Sequence, residues 1–429
     1  MKNLGGLKVA VVGMKRSGVA AAELLARNGA VVRAVDEAAS GEILPQTIES
    51  FEGVDMVVLS PGVPADLPVI EEVRSKGVTV IGEVELASYF LNGPVMGITG
   101  SNGKTTTTAM VGHILKESGI AVQVGGNIGL APTSMTKTSR AGQWNVLELS
   151  SFQLETIDQF HADIAVCLNI TPDHLDRHYT LERYAAAKGR LFENQAPKDF
   201  AVLNADDAFC VGFASDTAAR TLWFSLSHPV APGLWLENGT IVFDGQPLIS
   251  QAEVPLRGVH NIENAMAASA AARLAGASTA QIAGAIATFP GVEHRLEFVR
   301  ERNGVKYYND SKATNVDATI KALDSFDGGL WIILGGKDKN SDYTLLTGRL
   351  QQKARGVLLI GAAASIITAQ LGSSVPLVQC GTLEAAVDHA SRNAAPGETV
   401  LLSPACASFD QFDNYEQRGR AFKAAVNAL

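Results

Sequence analysis

The run Pro94-Val95-Met96-Gly97-Ile98-Thr99-Gly100-Ser101-Asn102-Gly103-Lys104-Thr105-Thr106-Thr107-Thr108 joins an apolar segment to a glycine-rich turn and then to a helix-compatible stretch. A buried strand that delivers such a turn to a helix N-terminus is the architecture that cradles phosphates. Gly100 and Gly103 let backbone N–H groups approach a polyphosphate with no Cβ in the way. Lys104 is placed to reach the β- and γ-phosphates, and the Thr105 hydroxyl to ligate Mg²⁺. The spacing departs from GxxxxGK[ST], because Ile98 stands where the first glycine is required and the glycines fall at Gly97 and Gly100 instead. A strand–helix turn with a solvated lysine is the plainer alternative, and the threonine run argues against it. ATP binding is the expectation.

Working outward, short apolar runs alternate with alanine-rich helical stretches, the pattern of α/β architecture with parallel sheets. On the N-terminal side, residues 8–12, 31–35 and 56–59 read as buried strands and 18–28 as a helix. On the C-terminal side, 144–149, 164–170 and 200–203 read as strands. Residues 221–256 are rich in turn signals and read as hairpins, and 261–274 as an amphipathic helix. Further strands are expected at 305–308, 330–334, 356–360 and 400–402, two of them ending in the glycines Gly335-Gly336 and Gly361. Turn-rich junctions at Leu91-Asn92-Gly93-Pro94 and Phe289-Pro290-Gly291 divide the chain into three expected domains, 1–92, 93–290 and 291–429. The expected classes are a Rossmann-like N-terminal domain, a central P-loop ATPase-like domain and a C-terminal Rossmann-like α/β domain.

Composition narrows the function. With 46% hydrophobic and 18% charged residues over 429 positions, large cores can form. The net charge of −9 disfavours nucleic acid or an anionic membrane as a nonspecific partner. Cys167, Cys210, Cys380 and Cys406 are scattered without a CxxC pair, so free thiols in a reducing cytoplasm are expected. No window offers the roughly 20 apolar residues of a membrane span.

Several clusters carry chemistry. The first βα turn, Gly13-Met14-Lys15-Arg16-Ser17-Gly18, has Lys15 where a dinucleotide fingerprint needs glycine, while Asp36 sits where a ribose-binding acid belongs. Lys15, Arg16 and the helix N-terminus can hold a diphosphate, or the turn is purely structural. Ser60-Pro61-Gly62-Val63-Pro64 ends another strand on the same expected rim. Glu148 closes a strand downstream of the phosphate loop, as a Mg²⁺ ligand or a helix-capping carboxylate would. His174 and His178 have the spacing of a zinc pair, but no HExxH glutamate or thiolate accompanies them. Lys188, in a helical stretch, reads as a solvated surface lysine. Residues 309–315 form a very polar loop after a strand, read as a helix cap or a binding site. Cys406 has no histidine partner in sequence and reads as a buried small residue.

Taken together, TGSNGKTTTT, GGNIG (125–129), LELSSFQLE (147–155), TPDHLDRH (171–178), HNIENA (260–265), HRLE, NDSKATN (309–315) and LLSPACASFDQF resemble the Mur ligases across essentially the whole chain. The resemblance implies an ATP-dependent amide ligase of peptidoglycan synthesis that adds D-glutamate to UDP-N-acetylmuramoyl-L-alanine through an acyl phosphate. It implies ATP contacts at Gly100, Ser101, Asn102, Gly103, Lys104, Thr105, Thr106, Asn264, Arg295 and Asp310. Two Mg²⁺ sites would draw on Thr105, Glu148, His174 and a carbamylated Lys188, with Lys104, His174 and Lys188 serving the chemistry. UDP-substrate would meet Lys15, Arg16, Ser17, Asp36, Ser60, Gly62, Asn127, Ser150 and Gln153. D-Glutamate would meet Lys312, Thr314, Lys339, Ser408 and Tyr415, with Lys337 as a rival for the place of Lys339. One departure stands out: Asp36 is followed by Glu37 and Ala38, where some members carry Thr-Arg against uracil. A cytoplasmic monomer without nucleic-acid or membrane partners is expected. Ligand-driven domain closure follows from site residues scattered over the three sections, and unchanged scattering on adding ligands would count against it.

Overall fold

Three sheets organise the chain, and each places the ends of its parallel strands where the polar loops begin. The computed structural model describes residues 4–429, the side chain of Asp176 apart. The molecule divides into two compact units: one running to Pro255 and including Val259–Phe289, the other comprising Leu256–Gly258 and Pro290–Leu429.

In the first unit, a four-stranded parallel sheet runs in the order Val31–Val35, Lys8–Val12, Met56–Leu59 and Thr79–Gly82. The alanine-rich helix Arg16–Arg27 and the helix Pro68–Ser75 supply apolar faces for its two cores. Val9, Val11 and Val58 pack on one face, and Ala10, Val12 and Val57 on the other. This period-two split makes the runs Val9–Val12 and Met56–Leu59 apolar throughout. A nine-stranded sheet follows, in the order Gln246–Ser250, Thr240–Phe243, Gly233–Glu237, Arg220–Ser225, Phe200–Asn204, Ile164–Cys167, Val95–Thr99, Trp144–Glu148 and Val122–Gly126. Val95–Thr99 lies between two parallel neighbours, so its following loop opens at a switch in strand order, where α/β sheets bind ligands.

Two expectations need correction. Of the pairs expected as hairpins, Arg220–Ser225 and Gly233–Glu237 run parallel; only the last two pairings are antiparallel. Turn-rich sequence marks where the chain bends but not the direction in which it returns. The helix Val259–Leu274 is not amphipathic in its setting, since Ala265, Ala267, Ala268, Ala270, Ala271 and Ala272 are all fully buried. Small side chains let it lie close to both the helix Lys104–Glu117 and the sheet.

The N-terminal and nine-stranded sheets are stapled by the helix Glu83–Ser88. The buried Glu85 carboxylate accepts N–H bonds from Asp158, Gln159 and Phe160 at 2.8–3.0 Å. Glu83, also buried, accepts from the Thr133 N–H and hydroxyl, and burial pushes its carboxyl up to about 7.

The second unit holds a six-stranded sheet in the order Glu297–Arg302, Val305–Asn309, Thr399–Leu402, Leu330–Gly335, Ala354–Ile360 and Leu377–Gly381. All its pairings are parallel except the first hairpin. Helices pack on both faces over two cores. Cys167, Cys210 and Cys406 are buried free thiols, and Cys380 is half-buried.

Candidate active site

The phosphate loop has the geometry its sequence calls for. Gly103 caps the helix Lys104–Glu117 with a left-handed backbone (φ 84°), and an added Cβ would stand 2.2 Å from Asn264 Oδ1. Gly100 (φ 145°) lies against Leu168. The loop is braced from the neighbouring strand end: Ser101 N–H donates to Asn169 O at 2.8 Å and Asn102 N–H to Asn169 Oδ1 at 2.9 Å. The Ser101 hydroxyl and the Asn102 amide engage Thr171. The first-turn N–H groups at Lys104, Thr105 and Thr106 find no partner within their own helix and present a positive end to an anion. Lys104 folds over the loop, its ammonium 2.7 Å from Gly100 O and 2.9 Å from Ser101 O.

Lys188 corrects the surface reading: it is 1% exposed. Its Nζ donates to Gly100 O at 2.8 Å, the carbonyl that Lys104 also uses. Burial, and then the Lys104 charge, pull its pKa from 10.5 down to about 7. Glu148 ends its strand with a buried carboxylate that accepts from Asn127 Nδ2 at 2.9 Å. Its second oxygen, Oε2, is buried with no hydrogen-bond partner. A buried anionic oxygen without a donor is costly, and a cation removes that cost. The donor set therefore fits Mg²⁺, which takes oxygen ligands and keeps phosphate and water oxygens around it. Among the described residues, no group of three His, Cys, Asp and Glu side chains stands ready for a metal such as zinc. His174, left-handed (φ 51°) and half exposed, caps the short helix Leu175–His178. Its ring meets Phe152 edge-on at 4.8 Å.

The residues expected to meet a sugar diphosphate gather on the rim of the N-terminal sheet. Gly18 packs so close to Gly13 that a Cβ would lie 1.9 Å from its carbonyl oxygen, and the Ser60 hydroxyl donates to that same oxygen at 2.6 Å. Lys15 caps the helix that Arg16 and Ser17 begin. Asp36 accepts the Met14 and Ala38 N–H groups, which hold its carboxyl below the usual range. Gly62 has open space around it. Ser150 and Gln153 form a capping box, and Asn127 is tied to Glu148, so all three carry local structural bonds. Asn264 likewise bonds Thr107 and Asn261.

In the second unit, Asp310, Lys312, Thr314, Lys339 and Ser408 lie on loops after three adjacent strands, while Arg295 precedes the strand Glu297–Arg302 and Tyr415 begins the helix Tyr415–Ala428. Asp310 is buried, accepts from the Ser403 hydroxyl at 2.9 Å and the Leu296 N–H at 3.2 Å, and burial pushes its carboxyl up to about 7. His294 (φ 67°) and Leu296 (φ 41°) flank the exposed Arg295 in left-handed conformations that side chains disfavour. Lys312 lies over the Tyr415 ring at 5.6 Å, Thr314 N–H donates to Lys312 O, and Ser408 is buried at the base of its loop. Lys337 pairs through its backbone with Ala407, while Lys339 stands exposed two residues on. One residue escaped sequence reading: Arg418, 1% exposed, donates to Ser311, Cys406 and Ala407 and so joins the loops after two strands. An arginine in a helix gives no sign of burial.

Comparison with known proteins agrees with this geometry. Residues 98–272 match the Mur ligase middle domain and residues 294–406 the Mur ligase glutamate ligase domain. The chain belongs to the Mur ligase family. Among its relatives is the UDP-N-acetylmuramoylalanine--D-glutamate ligase of Solibacter usitatus, 58% identical over 436 residues and covering 99% of both chains. The protein of the same name from Acidobacterium capsulatum is 50% identical over 448 residues, covering 99% of this chain and 97% of its own. Similar solved structures include the UDP-N-acetylmuramate-alanine ligase of Thermotoga maritima (TM-score 0.62, 18% identity, 98% and 99% coverage). The pseudomurein peptide ligase type C of Methanothermus fervidus is comparable (TM-score 0.61, 18% identity, 99% and 100% coverage). At that identity both speak for the fold.

Proposed function

We propose that this chain is the ATP-dependent ligase that joins D-glutamate to UDP-N-acetylmuramoyl-L-alanine in peptidoglycan synthesis. The observation that carries the reading is the convergence of Lys104 and the buried Lys188 on one loop carbonyl, with the buried Glu148 carboxylate near enough to act on the Lys188 charge. A carboxylate is a poor electrophile until one oxygen becomes a leaving group. The alanyl carboxylate attacks the γ-phosphorus, ADP leaves, and an acyl phosphate forms. The D-glutamate amine then attacks the acyl carbon, phosphate leaves, and the amine proton passes to solvent. Lys104 and the helix N-terminus stabilise the charge on the transferring phosphoryl. Bound Mg²⁺ neutralises phosphate oxygens; Thr105, Glu148, His174 and a carbamylated Lys188 would hold it at two sites. A lysine with pKa near 7 presents the neutral amine that carbon dioxide requires, and the carbamate turns a cation into an oxygen ligand. Lys312 and Lys339 supply cations suited to a dicarboxylate amino acid, with Thr314, Ser408 and Tyr415 beside them.

The reading divides the chain into three domains at 92/93 and 290/291, one for each sheet. A reaction that consumes ATP and a UDP-linked sugar belongs in the cytoplasm, and the ligase is expected to act as a monomer. Among the described residues, no helix is long and apolar enough to cross a membrane. Phosphate release with ATP, Mg²⁺, UDP-N-acetylmuramoyl-L-alanine and D- or L-glutamate tests the proposal. Release that needs both the UDP-substrate and D-glutamate, with a product one glutamyl residue heavier, supports it. Release with L-glutamate at the same rate breaks the stereospecific assignment, and no release with ATP bound would make the chain a nucleotide binder.

A further inference from the structure

The segment that carries His174 is held by a network that the ligase reading leaves unused. Arg177 lies three residues beyond His174 on the same short helix, and its N–H donates to His174 O at 3.0 Å. Its side chain reaches in three directions. Nη2 donates to Glu155 Oε2 at 2.6 Å and to Val63 O at 3.3 Å, and the guanidinium lies 4.7 Å from the Phe152 ring centroid. Phe152 in turn meets His174 edge-on at 4.8 Å and stacks with His178 at 5.6 Å. His178 is buried against the Ser151 hydroxyl (2.9 Å) and Glu155 (3.3 Å). The Arg177 side chain is only 14% exposed.

Val63 belongs to the rim. Its N–H donates to Ser60 O, and its side chain fills the space beside Gly13. Arg177 therefore joins the rim turn at residues 60–64, which packs beside the expected diphosphate turn, to the helix on which His174 stands. On that side a cavity of about 570 Å³ lies between residues 65–81 and 155–190, and the next links are Gly82 N–H to Thr156 O at 2.9 Å and the bonds of Glu85 to residues 158–160. The charges lining that cavity are largely committed: Arg74 pairs with Glu71, Arg177 with Glu155, and Arg190 bonds three backbone carbonyls. A contact from the Tyr179 hydroxyl to Asp66 at 3.4 Å is the weaker companion.

We propose that Arg177 is a positioning residue that sets His174 relative to the UDP-substrate rim, acting on the histidine through Phe152 and on the rim through Val63. The proposal rests on the ligase reading. Its function is register: the alanyl carboxylate and the phosphoryl group must meet in line, and an error of about 1 Å costs on the order of 100-fold. A planar, forked, stacking cation suits three simultaneous contacts, which a lysine cannot reproduce.

The test compares Arg177→Met, Arg177→Lys and Phe152→Leu with the wild type. Three readouts are taken: thermal unfolding, steady-state kinetics, and calorimetric binding of UDP-N-acetylmuramoyl-L-alanine without ATP or Mg²⁺. Arg177→Met should lower kcat about 10- to 100-fold with the KM for ATP nearly unchanged. It should also weaken UDP-substrate binding about three- to tenfold, the size of one lost hydrogen bond. Arg177→Lys should fall between Met and the wild type. Phe152→Leu should lower kcat while leaving UDP-substrate binding alone, since the Val63 contact remains. A kcat within about twofold of wild type in both Arg177→Met and Phe152→Leu overturns the proposal. So does a loss in Arg177→Lys as deep as in Arg177→Met with Phe152→Leu silent. If Arg177→Met fails to fold, the other two variants decide. Wild-type protein that does not turn over sinks the ligase reading itself, a different result from an active wild type with equally active variants.

Discussion

Lys188 sits where function and stability pull apart. Its ammonium is disfavoured in the folded state, with a pKa near 7 against 10.5 in free solution. The unfolded chain therefore binds the extra proton more readily between those values, and this site's contribution to stability rises with pH across that window. The cost is full below about pH 7 and gone above 10.5. Lys188→Met removes the charge, and Lys104 still satisfies the Gly100 carbonyl. The variant is expected to be more stable than wild type at about pH 6, by roughly 1–3 kcal/mol, while turnover falls at least 100-fold. Thermal unfolding at that pH, set beside phosphate release, checks both halves. Lower stability would mean that the hydrogen bonds outweigh the burial. Labelled bicarbonate should give a carbamate resonance that this variant lacks.

Helix Glu83–Ser88 shows how an element with little intrinsic stability becomes structural. Six residues are too few to form a helix alone. It holds because Glu85 collects three N–H groups of the 158–160 turn and Glu83 collects two donors from Thr133. Glu85→Ala takes the acceptor from three N–H donors, the one at Phe160 buried and the other two partly so, and is expected to cost about 2–4 kcal/mol, seen as a lowered first unfolding midpoint in urea. Glu85→Gln should recover part of the loss. A silent Glu85→Ala would show that water reaches the turn. Nothing in the neighbouring sequence marks either glutamate as buried.

At the scale of the molecule, each compact unit carries its own sheets and cores, two sheets in the first unit and one in the second. The fragment 290–429 keeps both cores of the second unit and should unfold cooperatively when expressed alone. It lacks Arg257, whose guanidinium lies over Tyr308 and Phe326 at 5.4 and 5.1 Å. Its midpoint should therefore rise when residues 256–258 are restored. A fragment with no cooperative transition would show that its fold depends on the rest of the chain. The residues to which the proposed function assigns roles divide in the same way: the phosphate loop, Glu148, His174 and Lys188 belong to the first unit, and Asp310, Lys312 and Ser408 to the second.

Strand positions and the phosphate loop were legible in the chain because their signals are local. A run of apolar residues buried on both faces, or a glycine at a left-handed cap, declares itself within a few positions, as at 8–12, 95–99 and Gly103. The motifs also carried the family, since spaced polar loops after strands are written contiguously. The surroundings of Lys188, Glu85, Arg177 and Arg418 were not legible there. Each is a charged residue on a helix, whose sequence neighbours suggest water, and the hydrogen bonds described above reach from 11 to 114 residues along the chain. Long-range packing sets the dielectric around a charge, so burial, a displaced pKa and the bracing of His174 emerged only once the strands had brought distant loops together.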